Sequence, residues 1–170
     1  DNNFTMAYAD SEQIDGNDMH LADNYRYYYD KGLIGKLDKP GIYDGLTVIK
    51  DCLSVKNQFM NASSVVFDKE SIQNCFRDHM DELLTFKVAG DWFVYVQLLK
   101  ESGANCKIVG DSLNIHRRHS GSVTKQNYDV QLKEISRMHC MTLNLSNDNG
   151  KLAFEQDEYL VVVNKELKVK

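Results

Sequence analysis

Asp91 stands between Gly90 and Trp92 at the head of a strongly apolar stretch. A carboxylate in that place can cap a helix by accepting its free N–H groups. Held rigidly beside an aromatic ring, the same carboxylate can take a proton from a hydroxyl, and desolvation by Trp92 would strengthen it as a base. The densest polar run is His116-Arg117-Arg118-His119. On a strand, His116 and Arg118 point one way, and Arg117 and His119 the other. Arginine forks match phosphate geometry, and a histidine can ligate a phosphate-bound metal. The run therefore reads either as an anion site or as a solvated strand end. The amides of Ser120-Gly121-Ser122 would add to an anion site. Asp10-Ser11-Glu12 resembles a short acidic metal motif, yet with Asp15 nearby it reads as a solvated turn. The tyrosines of Tyr25-Arg26-Tyr27-Tyr28-Tyr29 could stack on sugar rings or cover a core. Asp78, His79, Asp81 and Glu82 read as an exposed helix face without catalytic weight.

These residues need elements to hold them. Phe4 to Asp10 alternates as a strand with both faces covered. Asp15-Gly16-Asn17-Asp18 is turn chemistry, and residues 36–44, with Pro40-Gly41, read as a loop. Asp44 fits a helix cap, with Leu46, Ile49 and Leu53 on one helical face. Ala62 to Phe67 reads as a short strand, and Asp68 as the cap of the helix after it. Asp91 to Lys100 is apolar nearly all round, which predicts a buried helix, and Gly103 ends it. Lys107-Ile108-Val109 and Leu113-Asn114-Ile115 read as two short strands turning at Gly110-Asp111-Ser112. Tyr128 to about Leu145 is an amphipathic helix with the stripe Tyr128, Leu132, Ile135 and Met138, and with Thr124 as its cap. Asn147-Asp148-Asn149-Gly150 is a turn. Leu160 to Val163 is β-branched and strand-like, and the Lys/Glu-rich tail alternates as an edge strand would. Interleaved strands and helices predict an α/β fold.

Composition narrows the classes of function. The 170 residues make one domain, or one and a short appendage. With 25 acidic against 20 basic residues the net charge is −5, which argues against nucleic-acid binding. No apolar run is long enough to span a membrane, and no signal peptide is visible at Asp1-Asn2-Asn3. Cys52, Cys75, Cys106 and Cys140 match no zinc or redox spacing, and read as reduced core thiols of a cytoplasmic protein.

Four segments, in order, resemble family-2 glycosyltransferases of the GT-A fold. Tyr8-Ala9-Asp10-Ser11-Glu12-Gln13-Ile14-Asp15 is similar to the family's Y-x-D-x-x-x-I-D stretch. Asn61-Ala62-Ser63-Ser64-Val65-Val66-Phe67 is similar to its N-x-S-x-V-x-F strand. Ala89-Gly90-Asp91-Trp92 resembles its catalytic-base segment. Residues 113–124 resemble its L-x-Y-R-x-H-x-x-S-x-T segment, with His116 in place of the tyrosine. The match runs from about residue 4 to 146. It implies a partial GT-A-like mixed sheet flanked by helices, the C-terminal, acceptor-side part of such an enzyme, without the nucleotide-binding N-terminal half. Residues 147–170 then read as a strand-rich tail and the start of another unit.

The resemblance implies an inverting enzyme that moves a sugar from a nucleotide diphosphate donor to an acceptor hydroxyl in glycan or polysaccharide synthesis. Asp91 would be the base. Asn61 and Ser63 would border the donor sugar, with Trp92 among the substrate-binding residues. Arg117, Arg118 and His119 would lie near the diphosphate and a divalent metal, Mn2+ or Mg2+, with His119 as a ligand. The expected partners are a nucleotide-sugar donor and a glycan or lipid-linked acceptor, with no nucleic acid. The setting is cytoplasmic, with membrane association through the acceptor or partners. The chain alone is expected to be weakly active or inactive, and to self-associate through the surface left by the missing half. Two other readings compete: a non-catalytic binding or assembly module that keeps the fold, and a metal hydrolase built on His116 and His119. The second lacks a third ligand at any useful spacing.

Overall fold

The structure, a computed structural model, describes residues 4–29, 39–118, 127–146 and 149–168. It is mixed α/β, with a curled mixed sheet and helices against it. The spine of the sheet is β1 (Met6–Ile14), followed in the chain by β2 (His20–Ala22), a one-turn helix α1 (Arg26–Tyr29) and β3 (Gly41–Asp44). Strand β4 (Val65–Phe67) pairs antiparallel with the start of β1, and β2 pairs antiparallel with its end. Along the other edge of β1 lies β5 (Asn105–Arg117), running parallel, and β3 pairs antiparallel with β5.

Between β3 and β4 the chain forms a short helix α2 (Gly45–Val48), a π-helical turn (Ile49–Leu53) and a 3-10 turn (Ala62–Ser64). The crossover from β4 to β5 is made by α3 (Lys69–Leu83) and α4 (Gly90–Leu99). Asp68 caps α3 by accepting from the Ser71 amide at 2.8 Å. Helix α4 is buried from Trp92 through Leu99, so it lies between the sheet and α5 (Tyr128–Leu143). A last helix, α6 (Asn149–Lys168), packs on α5: Gln156 Nε2 donates to the Ser54 carbonyl at 2.8 Å and to Thr142 Oγ1 at 3.1 Å. The core joins Met6, Tyr8, Phe59, Trp92, Phe93, Tyr95, Leu99, Cys106, Ile108 and Met138.

Several expectations change. Strand β1 runs on to Ile14, so Asp10 and Ser11 are buried inside it and not in a solvated turn. Within the expected loop 36–44, Gly41–Asp44 forms β3, while residues 36–38 lie outside the described ones. Ile49 and Leu53 are buried but Leu46 is exposed, because the wide π turn shifts the helical phase between them. Ala62 to Ser64 is a 3-10 turn, and only Val65 to Phe67 is strand. The two short strands are one, β5. Gly110, at φ +83°, sits where the ladder with β1 shifts register, a bulge in place of a turn.

The expected C-terminal strand is helix. Consecutive valines cost a helix only a few tenths of a kcal/mol each, and burying Val163 and Gln156 outweighs that. The described part of 147–170 is therefore not strand-rich. Helix α5 ends at Leu143, and Thr124 lies outside the described residues. No disulfide joins the four cysteines; Cys52, Cys75 and Cys106 are buried and Cys140 is exposed.

Candidate functional site

Parallel register puts Ser11 beside Asn114 and Gln13 beside His116, so all four side chains share the inner face of the sheet. Asn61 leans over this face from the start of the 3-10 turn. Its Nδ2 donates to Ser11 Oγ at 3.2 Å and to Asn114 Oδ1 at 3.3 Å. Its Oδ1 accepts from the Ser63 amide at 3.2 Å, and Asn114 Nδ2 donates to the Ser63 carbonyl at 2.8 Å. Asn61, Ser63, Ser11 and Asn114 thus form one polar network, with Ser63 at its exposed rim.

A second group adjoins it. The buried Asp10 carboxylate accepts from its neighbour Ser11 at 2.7 Å and from the Tyr25 amide at 3.1 Å, fixing the start of α1 against the sheet. The Tyr25 hydroxyl lies 2.6 Å from His116 Nδ1. Burial pushes Tyr25 up to about 12, so its phenol stays protonated. Arg118 donates to Gln13 Oε1 and to the Tyr27 hydroxyl, both at 3.1 Å. Arg117 points the other way, paired with Asp18 and donating to the Asp15 carbonyl at 3.1 Å. The alternation along β5 therefore leaves Arg118, not Arg117, beside the inner-face group. His119 lies outside the described residues.

The Asp91 carboxyl is at the first turn of α4. Its Oδ1 accepts from the Trp92 amide at 2.7 Å, and the Asn57 side chain also donates to it. Burial outweighs these donors and pushes Asp91 up to about 6. Trp92 is an anchor: its indole is 3 % exposed and donates to the Leu53 carbonyl at 2.8 Å. The loop just before Asp91 is clamped by Glu134 of α5, whose carboxylate accepts from the amides of Lys87, Val88 and Ala89 at 2.7, 2.8 and 2.8 Å.

One stretch of chain ties these groups together. Asn57 reaches Asp91 and Asn61 reaches Ser11 and Asn114, and four residues of chain span at most about 14 Å. Between them Phe59 stacks on Tyr8 of β1, with ring centres 4.6 Å apart, and meets Tyr95 of α4 edge-on at 5.4 Å. Residues 57–61 thus bridge the head of α4 and the inner face of the sheet. The sequence gives no local sign of Asn57, Glu134 or Gln13 as site residues, because each acts on a partner far along the chain, and Tyr25, of the tyrosine group, meets His116 through its hydroxyl. A desolvated carboxyl with a raised proton affinity can accept a proton near neutral pH, and a guanidinium on a polar face can meet an anion.

Among the described residues no group of three or more His, Cys, Asp or Glu side chains is placed to hold a metal ion. They do not by themselves fit a protein-built metal cage. No described helix is long and apolar enough to cross a membrane. No family model matches the chain, and neither a curated protein nor a solved structure matches it.

Proposed function

We propose that this chain carries the acceptor side of an inverting glycosyltransferase with a GT-A-like fold, resembling family 2. The observation that supports this best is the desolvated Asp91 carboxyl, raised to about 6, at the fixed start of a buried helix. Asp91 takes the proton of the acceptor hydroxyl as its oxygen bonds to the anomeric carbon of the donor sugar. The bond from that carbon to the nucleotide diphosphate breaks, and the electron pair leaves with the diphosphate. Arg118 meets the charge that develops there. The Asn61, Ser63 and Asn114 network offers amide and hydroxyl groups to sugar hydroxyls. The acceptor class is a glycan or a lipid-linked glycan. The resemblance also implies a divalent metal, but no step is assigned to it, since the described residues build no site for one.

Calorimetric titration with UDP and GDP, with and without manganese, tests the donor side. Binding is expected to be micromolar, to weaken about tenfold in Arg118→Ala, and to be unchanged in Asp91→Asn. In a longer chain that supplies a nucleotide-binding half, Asp91→Asn is expected to lower transfer from nucleotide sugars at least about a hundredfold. Nucleotide affinity indifferent to Arg118→Ala, or transfer at full rate in Asp91→Asn, would overturn the reading.

A further inference from the structure

One turn beyond Asp91 on α4, Tyr95 carries a hydroxyl that is buried and has no hydrogen-bond partner among the described residues. The residue is 1 % exposed, and its ring is fixed edge-on against Phe59 and stacked near Phe67 at 6.2 Å. Native interiors rarely leave such a group unsatisfied, so its presence needs a reason. Residues four apart on a helix are neighbours, and long helical side chains lean toward the N-terminus. That spacing sets Tyr95 one turn from Asp91 on the same face of α4. The two groups interact: the Asp91 charge, together with burial, makes the Tyr95 phenol much harder to ionise. Tyr95 stays protonated, and can serve Asp91 only through its hydroxyl. An ionised carboxylate offers about four lone-pair sites, and the Trp92 amide and the Asn57 side chain occupy two of them.

We propose that Tyr95 is a positioning residue for Asp91, its hydroxyl donating to the carboxylate in the ionised state and holding it in the orientation that accepts a proton. In the structure the hydroxyl stands one turn from the carboxyl without bonding to it; the donation belongs to the ionised state, and its catalytic meaning rests on the reading of Asp91 as the base. The titratable groups facing this pair are Tyr8 of β1, which interacts with Tyr95, and Glu134 of α5 behind the 87–89 loop. Asn57 is the neutral donor on the remaining side.

The sign of the effect is fixed. A donor to the charged form favours that form, so removing it makes Asp91 hold its proton to higher pH. The test is a carbon-13 NMR titration of the Asp91 carboxyl, assigned with Asp91→Asn, in the wild type and in Tyr95→Phe. Phenylalanine keeps the ring contacts. The Asp91 titration midpoint is expected to rise by about one pH unit. A ring-fluorinated tyrosine at position 95, a stronger donor, is expected to move it down. A merely structural tyrosine would leave the midpoint in place in both variants, and that result overturns the proposal. If the midpoint moves while Asp91→Asn leaves transfer intact, the pairing stands and the glycosyltransferase reading falls. If the midpoint stays, the pairing falls whatever the transfer assay gives.

Discussion

At the Asp91 carboxyl two effects oppose each other: the Trp92 amide and Asn57 stabilise its charge, while burial penalises it, and burial prevails. The consequence for stability follows from linkage. The folded chain binds this proton more tightly than the unfolded chain, whose aspartates titrate near about 4. The stabilising contribution is therefore fully present below about pH 4 and is lost as pH rises through the folded value of about 6. Asp91→Asn should make the protein more stable at pH 7 by about 1–2 kcal/mol, with the gain vanishing near pH 4. The same variant should lower transfer at least about a hundredfold. The wild-type rate should fall as pH drops through about 6, where the base becomes protonated. Urea unfolding of both proteins at pH 4 and pH 7 checks the first part, and a pH–rate profile the second. An asparagine variant less stable than wild type at pH 7 would mean that Asp91 is a structural cap.

Elements set where that carboxyl lies. Ala89, just before helix α4, brings no side-chain cap, so the free amides there depend on Glu134. Three charge-assisted bonds to a buried carboxylate are strong, and removing the acceptor strands three donors. Glu134→Ala should destabilise the fold by about 3 kcal/mol and loosen Asp91, seen as faster amide hydrogen exchange at residues 87–91. Full protection there in the variant would contradict the clamp. Strand β5 depends on Gly110 in a comparable way. At φ +83° an added Cβ would also meet Pro40 Cγ at 2.7 Å, so Gly110→Ala should cost about 2 kcal/mol in thermal unfolding. These two elements mark how far the sequence could be read. The burial of α4 was legible because apolar residues surround it, and the Asp68 cap because capping is local. Strand β5 was read as two because a glycine inside a ladder looks like a turn until its partner β1 is known. The candidate base was legible from its own neighbours. Its supports were not, since Glu134 acts 47 residues away from Lys87.

Across the whole molecule, the unsettled element in the sequence was the tail. Its valines suggested a strand, yet helix α6 lies on α5 and closes over the chain around Ser54. Gln156 fills hydrogen-bonding needs of Ser54 and Thr142, and Tyr159 tilts against His139 with ring centres 6.2 Å apart. If this helix is part of the same cooperative unit, ending the chain at residue 146 must cost stability. We expect the urea midpoint to fall, by about 3 kcal/mol or more in unfolding free energy, while the full chain unfolds in one transition. A separate unit would instead leave the midpoint of residues 1–146 unchanged and add a second transition to the full chain. His139 gives this comparison a pH signature. Its Nε2 lies 2.7 Å from the Val55 carbonyl, the rings of Trp92 and Tyr159 flank it, and burial lowers its proton affinity, partly opposed by the Val55 bond and then by Asp157 on α6. A depressed histidine stabilises the fold fully above its unfolded value of 6.5, and that contribution is lost as pH falls through the folded value. Removing α6 opens one side of His139 to water, so its depression and the acid sensitivity should both shrink. The stability gap between full and shortened chains should therefore narrow as pH falls from 7 to 5. A gap constant over that range would mean that α6 does not shield His139.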